Sequence, residues 1–178
     1  GEEAARNLKA DVFVTVQGDE PLLQPEWIEG TVEPFCKDPR VGCVNLLSEL
    51  EGDEDLMNSN IVKAACDVKG QVLFFARRIQ LTHPDRASSP IYRQTGIQAF
   101  REETLHLFSR LAPTPFEKIE SVDMFRLIEH GHGIAGVVMD VPTYGVDRPE
   151  HVSQIETILR EDPVQKELHE RILETAVS

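Results

Sequence analysis

An α/β sheet with helices on both faces is the fold class this sequence predicts, and three observations carry the prediction. Short apolar, β-branched runs alternate with amphipathic stretches along most of the chain. Pro25, Pro149 and Pro163 each stand at the head of a stretch with apolar residues at helical spacing, where proline is tolerated best. No run approaches the roughly 18 apolar residues of a membrane span, and no repeat or low-complexity tract interrupts the pattern. The 178 residues are expected to form one domain, 1–178, with no interdomain linker.

The elements follow in order. Gly1 to Ala10 reads as the tail of a helix. Val12 to Val16 is a compact β-branched and aromatic run, hence a buried strand, and it stops at the turn cluster Gln17-Gly18-Asp19-Glu20-Pro21. Pro25 opens a helix to about Cys36, with Trp27, Ile28, Val32 and Phe35 on its apolar side. Gly42 to Leu47 is a second strand, and Asp53 to Asn60 a loop or short helix. Ile61 to Cys66 and Val72 to Ala76 are two strands joined by a tight turn at Asp67-Val68-Lys69-Gly70. Arg78 to Arg93, with Pro84 and Pro90, is a long loop. Gly96 to Phe100 is a strand and Glu102 to Leu111 a helix. Glu117 to Glu129 is expected as one helix with Ile119, Val122, Phe125 and Ile128 on a face, ended by the turn at Gly131 to Gly133. Ile134 to Val141 is a strand, Pro142 to Arg148 a loop, and helices open at Pro149 and Pro163.

Composition narrows the function. The formal charge of −13 repels phosphate backbones and anionic lipid, so nucleic-acid and membrane partners are not expected. Small anionic substrates remain open, because a metal ion or placed arginines can reverse the local field. Cys36, Cys43 and Cys66 form no C-x-x-C pair, which points to reduced thiols in a cytoplasmic protein. His130 and His132 flank Gly131 without a third ligand nearby and read as an exposed turn; His106 reads as structural.

In open α/β sheets ligands bind beyond the carboxyl ends of the strands. Asp19 follows the Val12–Val16 strand, and Asp147 follows the Ile134–Val141 strand. Two carboxylates at one sheet edge suit a hard divalent cation such as Mg²⁺. Each also has a bland reading, Asp19 as a turn former and Asp147 as a helix cap.

The segment Val14-Thr15-Val16-Gln17-Gly18-Asp19-Glu20-Pro21 resembles the V-x-V-Q-G-D-E-P of the 3-deoxy-manno-octulosonate cytidylyltransferases, the CMP-Kdo synthetases. Later landmarks keep the family's order. Asn58-Ser59-Asn60-Ile61-Val62-Lys63 resembles N-P-N-x-V-K, and Leu73-Phe74-Phe75-Ala76-Arg77 resembles L-Y-F-S-R. Gly96-Ile97 sits in the place of H-x-G-I-Y, Pro115 to Glu120 matches P-L-E-x-x-E, and Gly145 to Glu150 matches G-V-D-T-P-E. The resemblance implies a nucleotide-diphospho-sugar transferase fold, a mixed and mainly parallel sheet flanked by helices, in a homodimer. It implies transfer of CMP from CTP to the anomeric hydroxyl of a 3-deoxy ulosonic acid, with release of pyrophosphate, for lipopolysaccharide or a related envelope glycan. Asp19 and Asp147 would be the Mg²⁺ carboxylates. Arg77 would take the sugar carboxylate, and Gln17, Gln94, Gln98, Glu120 and Asp123 the sugar hydroxyls. Glu120 and Asp123, three apart on the expected helix, would share a face. Each of these side chains also has an ordinary surface role open to it.

Two departures qualify the resemblance. The family opens with a basic loop, roughly I-P-A-R-x-x-S-x-R-x-P-x-K-P-L, that grips the triphosphate, and no such segment occurs here. The front third of the fold is therefore expected to be absent, and these 178 residues alone are expected to turn over CTP negligibly. In the sugar pocket the family's histidine and tyrosine are Gln94 and Gln98, and its E-Q pair is Asp123-Met124. Those changes point to a modified or shorter ulosonic acid. A same-fold enzyme for another sugar acid or nucleotide, and a non-catalytic binding or scaffold remnant, are the alternatives.

Overall fold

The computed structural model describes residues 8–18, 20–82, 89–141 and 149–176. The chain divides into two compact units: Gly1–Val16 with Pro25–Val141, and Gln17–Gln24 with Pro142–Ser178.

The first unit is a mixed sheet covered on both faces. Its strands are β1 (Val12–Val16), β2 (Cys43–Ser48), β3 (Lys63–Cys66), β4 (Val72–Ala76), β5 (Ile91–Arg101) and β6 (Ala135–Val138). Its helices are α1 (Pro25–Lys37), α2 (Asp53–Met57), α3 (Glu102–Arg110), α4 (Pro115–Glu120) and α5 (Phe125–Glu129). The strand order is β4-β3-β5-β2-β6, and β1 joins β5. β1 and β3 lie end to end along one edge of the long β5: Val12–Val16 pair with its residues 97–101 and Lys63–Ala65 with 91–93.

The mixed α/β class stands, but the expected mainly parallel balance does not. Among the described residues only β2 and β6 pair in parallel. β1, β2, β3 and β6 do run in one direction, as alternating β and α segments predict. β5 runs against them and lies between β2 and the pair β1 and β3, so its contacts are antiparallel. β5 is also longer than the expected Gly96–Phe100 strand, because pairing with β3 extends it back to Ile91. The loop from Arg78 thus ends before Ile91, and residues 83–88 lie outside the described residues. β6 is shorter than expected.

Alternation sorts the strands onto the two faces. Val44 and Ala99 turn toward Phe35 of α1. Cys43, Leu47 and Phe100 turn toward a larger core with Phe75, Leu105, Phe125 and Leu127. Phe75 and Phe125 meet edge to face at 5.7 Å. Arg101 closes the α1 side, donating to the carbonyls of Val41 at 2.8 Å and Phe35 at 2.9 Å.

The expected Glu117–Glu129 helix is broken. α4 ends at Glu120, Ser121 adopts a left-handed conformation with φ 56°, and α5 starts at Phe125. Val122, Met124, Phe125 and Leu127 are all buried. At 100° per residue a continuous helix would spread those four around its circumference, so the break lets them enter one core. Ile119, expected inward, is 72% exposed, and Glu120 and Asp123 share no helix face.

Glu117 anchors this region. One of its oxygens accepts from the Thr114 backbone N–H at 3.1 Å, and Arg126 pairs with its carboxylate. Arg126 stacks on Phe108 at 4.7 Å. The hydrogen bond from Arg126 holds the Glu117 carboxyl below its ordinary 4.5. A lowered folded-state pKa adds stability above the unfolded value and loses it as pH falls through the folded one. Glu117→Gln is expected to cost about 2 kcal/mol at pH 7, since it leaves a largely buried guanidinium unpaired. Denaturant titrations of both proteins should show that gap closing as pH drops below the ordinary carboxylate range; a gap constant down to pH 3 would contradict the ion pair.

The second unit contains α6 (Pro149–Glu161) and α7 (Pro163–Ala176), which pack together. Asp162 separates them and caps α7, its carboxylate accepting from the Gln165 N–H at 3.0 Å, with Pro163 next in line. The buried Gln165 amide donates to the Leu22 carbonyl at 3.1 Å. Residues 1–7 of the expected first helix and the Pro142–Arg148 loop lie outside the described residues. Leu8 to Ala10 are not helical.

Candidate functional site

The carboxyl ends of β1 and β2 meet the first half of β5, and polar side chains collect there. Gln94, Gly96 and Gln98 share one face of β5 by alternation. Gln98 is buried and stands in register between Thr15 of β1 and Asn45 of β2; Gln94 stands opposite Leu47. The register slips between Asn45 and Leu47: Asn45 pairs with Gln98 and Leu47 with Gln94, so the extra residues of the irregularity lie in β5.

Asn45 is a residue that sequence reasoning missed. It lay inside an apolar strand, and a fully buried carboxamide in such a run is the signal that could have found it. Its Nδ2 donates to the carbonyls of Leu46 at 3.1 Å and Ile97 at 3.2 Å. Its Oδ1 accepts from Gln94 Nε2 at 2.7 Å. Thr95 Oγ1 donates to the Leu46 carbonyl at 2.8 Å. Among the described residues the buried Ser48 hydroxyl at the end of β2 has no hydrogen-bond partner.

A second cluster is built on Lys63 and Arg77. Lys63 is fully buried, and its Nζ donates to the carbonyls of Asn58 at 2.8 Å, Ile61 at 2.8 Å and Arg77. Burial lowers its pKa, with Asp55 opposing, while the three carbonyls hold the ammonium proton. In the sequence Lys63 is a landmark of the Asn58–Lys63 segment, with no signal of a task of its own. Arg77 donates through Nε to the Glu120 carbonyl at 2.7 Å, through Nη1 to Ser59 at 2.9 Å and through Nη2 to Ser121 at 3.3 Å. Its backbone N–H donates to Glu120 Oε2 at 2.8 Å. Among the described residues, three of its five guanidinium donors are thus committed to backbone. Arg77 also pins the break after α4.

Asp123 lies in the turn between α4 and α5. Packing around its carboxyl raises its pKa, with Arg126 opposing and Glu117 adding to the rise. Cys43 lies in the core nearby; burial, and then the charge of Asp123, push its thiol well up. Met124 is fully buried in the core and offers nothing to a ligand. Gln17 is exposed just after β1, its carbonyl accepting from the Glu20 N–H at 3.2 Å. His130 and His132 are exposed around Gly131, which has φ 80°.

Asp19 and Asp147 lie outside the described residues. Their donor chemistry, two hard anionic carboxylates, fits Mg²⁺. Among the described residues no group of three or more His, Cys, Asp and Glu is placed to hold a metal ion. No helix there is long and apolar enough to cross a membrane.

Residues 2–134 match the model of the family described as cytidylyltransferase. A 3-deoxy-manno-octulosonate cytidylyltransferase from Chloroherpeton thalassium is 35% identical over 159 residues, covering 88% of this chain and 65% of the relative. One from Chlorobium phaeobacteroides is 37% identical over 163 residues, covering 90% and 66%. The chain therefore spans just under two thirds of the length of these curated relatives. In structure it is similar to a CMP:2-keto-3-deoxy-manno-octonic acid synthetase complexed with CTP, with TM-score 0.81 and 24% identity, over 90% of this chain and 66% of that one. A glucose-1-phosphate thymidylyltransferase from Bacillus anthracis shares the fold at TM-score 0.56 and 15% identity, over 90% of this chain and 59% of that one.

Proposed function

This chain belongs to the cytidylyltransferase family, and from that premise we propose that it serves the CTP-dependent activation of a 3-deoxy ulosonic acid, 3-deoxy-manno-octulosonate or a close relative. The observation that carries the reading is the identity with 3-deoxy-manno-octulosonate cytidylyltransferases along nearly the whole chain. The carboxamides of Asn45, Gln94 and Gln98 at the carboxyl edge of β1 and β2 support it, since neutral donors and acceptors suit a polyol.

In the reaction the anomeric oxygen of the sugar acid forms a bond to the α-phosphorus of CTP. The bond from that phosphorus to the bridging oxygen breaks, and pyrophosphate leaves. Asp19 and Asp147 would hold Mg²⁺. When bound, the ion lowers the pKa of the attacking hydroxyl and neutralises charge on the phosphates. Gln94, Gln98 and Gln17 hydrogen-bond sugar hydroxyls. Arg77 offers guanidinium donors that the described backbone does not hold to the sugar carboxylate. Glu120 and Asp123 accept from hydroxyls. Burial of Met124 in the core, together with glutamines at 94 and 98, favours a modified ulosonic acid over the unmodified sugar. The setting is a cytoplasmic homodimer that supplies an envelope glycan. The Ile61–Arg93 region is the candidate for its subunit contact, and the exposed Leu73 and Phe74 of β4 support that reading.

The test is product formation. The full-length protein that carries these residues is incubated with CTP, Mg²⁺ and each of three sugar acids: 3-deoxy-manno-octulosonate, its 8-amino analogue and a nonulosonate. Equimolar CMP-sugar and pyrophosphate with at least one of them is expected. Intact CTP with all three would refute the reading.

A further inference from the structure

We propose that Asn45 is a positioning residue: it fixes the orientation of the Gln94 carboxamide, so that a substrate hydroxyl meets the oxygen of Gln94. The inference rests on the reading of Gln94 as part of the sugar side, and adds the chemistry of the group that Gln94 accepts.

A carboxamide can be turned over, exchanging its oxygen and nitrogen, unless its neighbours forbid it. Asn45 is forbidden. Its Nδ2 lies 3.1 Å from the Leu46 carbonyl and 3.2 Å from that of Ile97. Turned over, Oδ1 would face two carbonyl oxygens with no proton among the three, inside a fully buried site. The register shift opposite Asn45 and Leu47, with its extra residues in β5, accompanies this arrangement. Oδ1 of Asn45 must then point toward Gln94, and only the nitrogen of Gln94 can meet it, as the 2.7 Å contact from Nε2 records. The Gln94 oxygen is left turned away from Asn45. The backbone thus dictates, through two side chains, that the half-buried Gln94 presents an acceptor. A ligand group seated there has to be a donor, a hydroxyl or an ammonium. An ether or a deoxy carbon at that point leaves the oxygen unmatched. Both carboxamides are neutral, so the orientation of Gln94 does not depend on pH or salt.

A double-mutant cycle tests it in the full-length protein, with CTP, Mg²⁺ and whichever of the three sugar acids is turned over fastest. Asn45→Leu and Gln94→Leu are each expected to raise the KM for the sugar acid about 10-fold. The kcat and the KM for CTP are expected to stay within about 2-fold, a split that general damage to the sheet would not produce. The double variant is expected to lose about 10-fold, not the product of the single losses, because the two side chains act as one. Asn45→Thr, a β-branched residue suited to a strand, decides the matter if Asn45→Leu does not fold. A raised KM for Gln94→Leu with no change for either Asn45 variant overturns the positioning role alone. Multiplying losses overturn it too. An unchanged KM for Gln94→Leu, or no turnover of any sugar acid, overturns the sugar-side reading and this inference with it.

Discussion

Asp19→Ala lowers the rate of CMP-sugar formation by about 100-fold or more in the full-length protein, with the far-ultraviolet circular dichroism and melting temperature unchanged. The size follows from what a metal ligand does. Attack at phosphorus gathers negative charge on the phosphoryl oxygens, and removing an electrostatic stabiliser of such a transition state costs about 2–3 powers of ten. Asp147→Ala is expected to cost the same. If both carboxylates hold one ion, they act as a unit, and the double variant is then scarcely worse than either single one. Raising Mg²⁺ restores part of the lost rate in the single variants, because the surviving carboxylate still binds the ion weakly. Initial rates of pyrophosphate release against Mg²⁺ concentration measure all three proteins. A retained rate in Asp19→Ala would remove that residue from the chemistry.

The second large effect concerns stability. Lys63→Met is expected to destabilise the fold by about 3–5 kcal/mol, a value typical of removing one partner from a buried charged network. Methionine matches the length of the lysine stem and donates nothing. The carbonyls of Asn58, Ile61 and Arg77, now joined through one ammonium, each lose a donor. Two of them lie in the segment before β3 and the third at the end of β4, so the loss also loosens the frame that carries Arg77. Urea denaturation followed by tryptophan fluorescence gives the difference. A Lys63→Met variant as stable as its parent would show that the lysine is only tolerated there.

Much of the fold could be read from the chain. The Val12–Val16 strand, the helix from Pro25 and the Asp67–Gly70 hairpin carry local signals, a β-branched run, a proline at the helix start and a turn cluster, and each forms, though the expected burial of Val12–Val16 is only partial and Val16 is exposed. The features that could not be read depend on partners far away in sequence. Ile91, Tyr92 and Arg93 look like loop, and become strand because β2 and β3 supply ladders for them. The direction of β5 is invisible locally, so a parallel balance was expected where β5 imposes an antiparallel one. The break at Ser121 answers to Arg77, whose guanidinium holds the Glu120 and Ser121 carbonyls.

The candidate site shows the same division. Gln94 and Gln98 were legible because a familiar spacing marked them, and their common strand face follows from alternation. Asn45 was not, since its meaning lies in a hydrogen bond to a residue 49 positions away. Arg77 reads in the sequence as a ligand for a carboxylate, and in the structure three of its donors hold the backbone.

The claim that carries most of the chemistry is that Asp19 and Asp147 share an ion. A crystal structure of the full-length protein with CTP and Mg²⁺ tests it most directly. Carboxylate oxygens of both residues at about 2.1 Å from the same magnesium are the predicted result. Oxygens directed into separate crevices, or an ion held by other side chains, would contradict it.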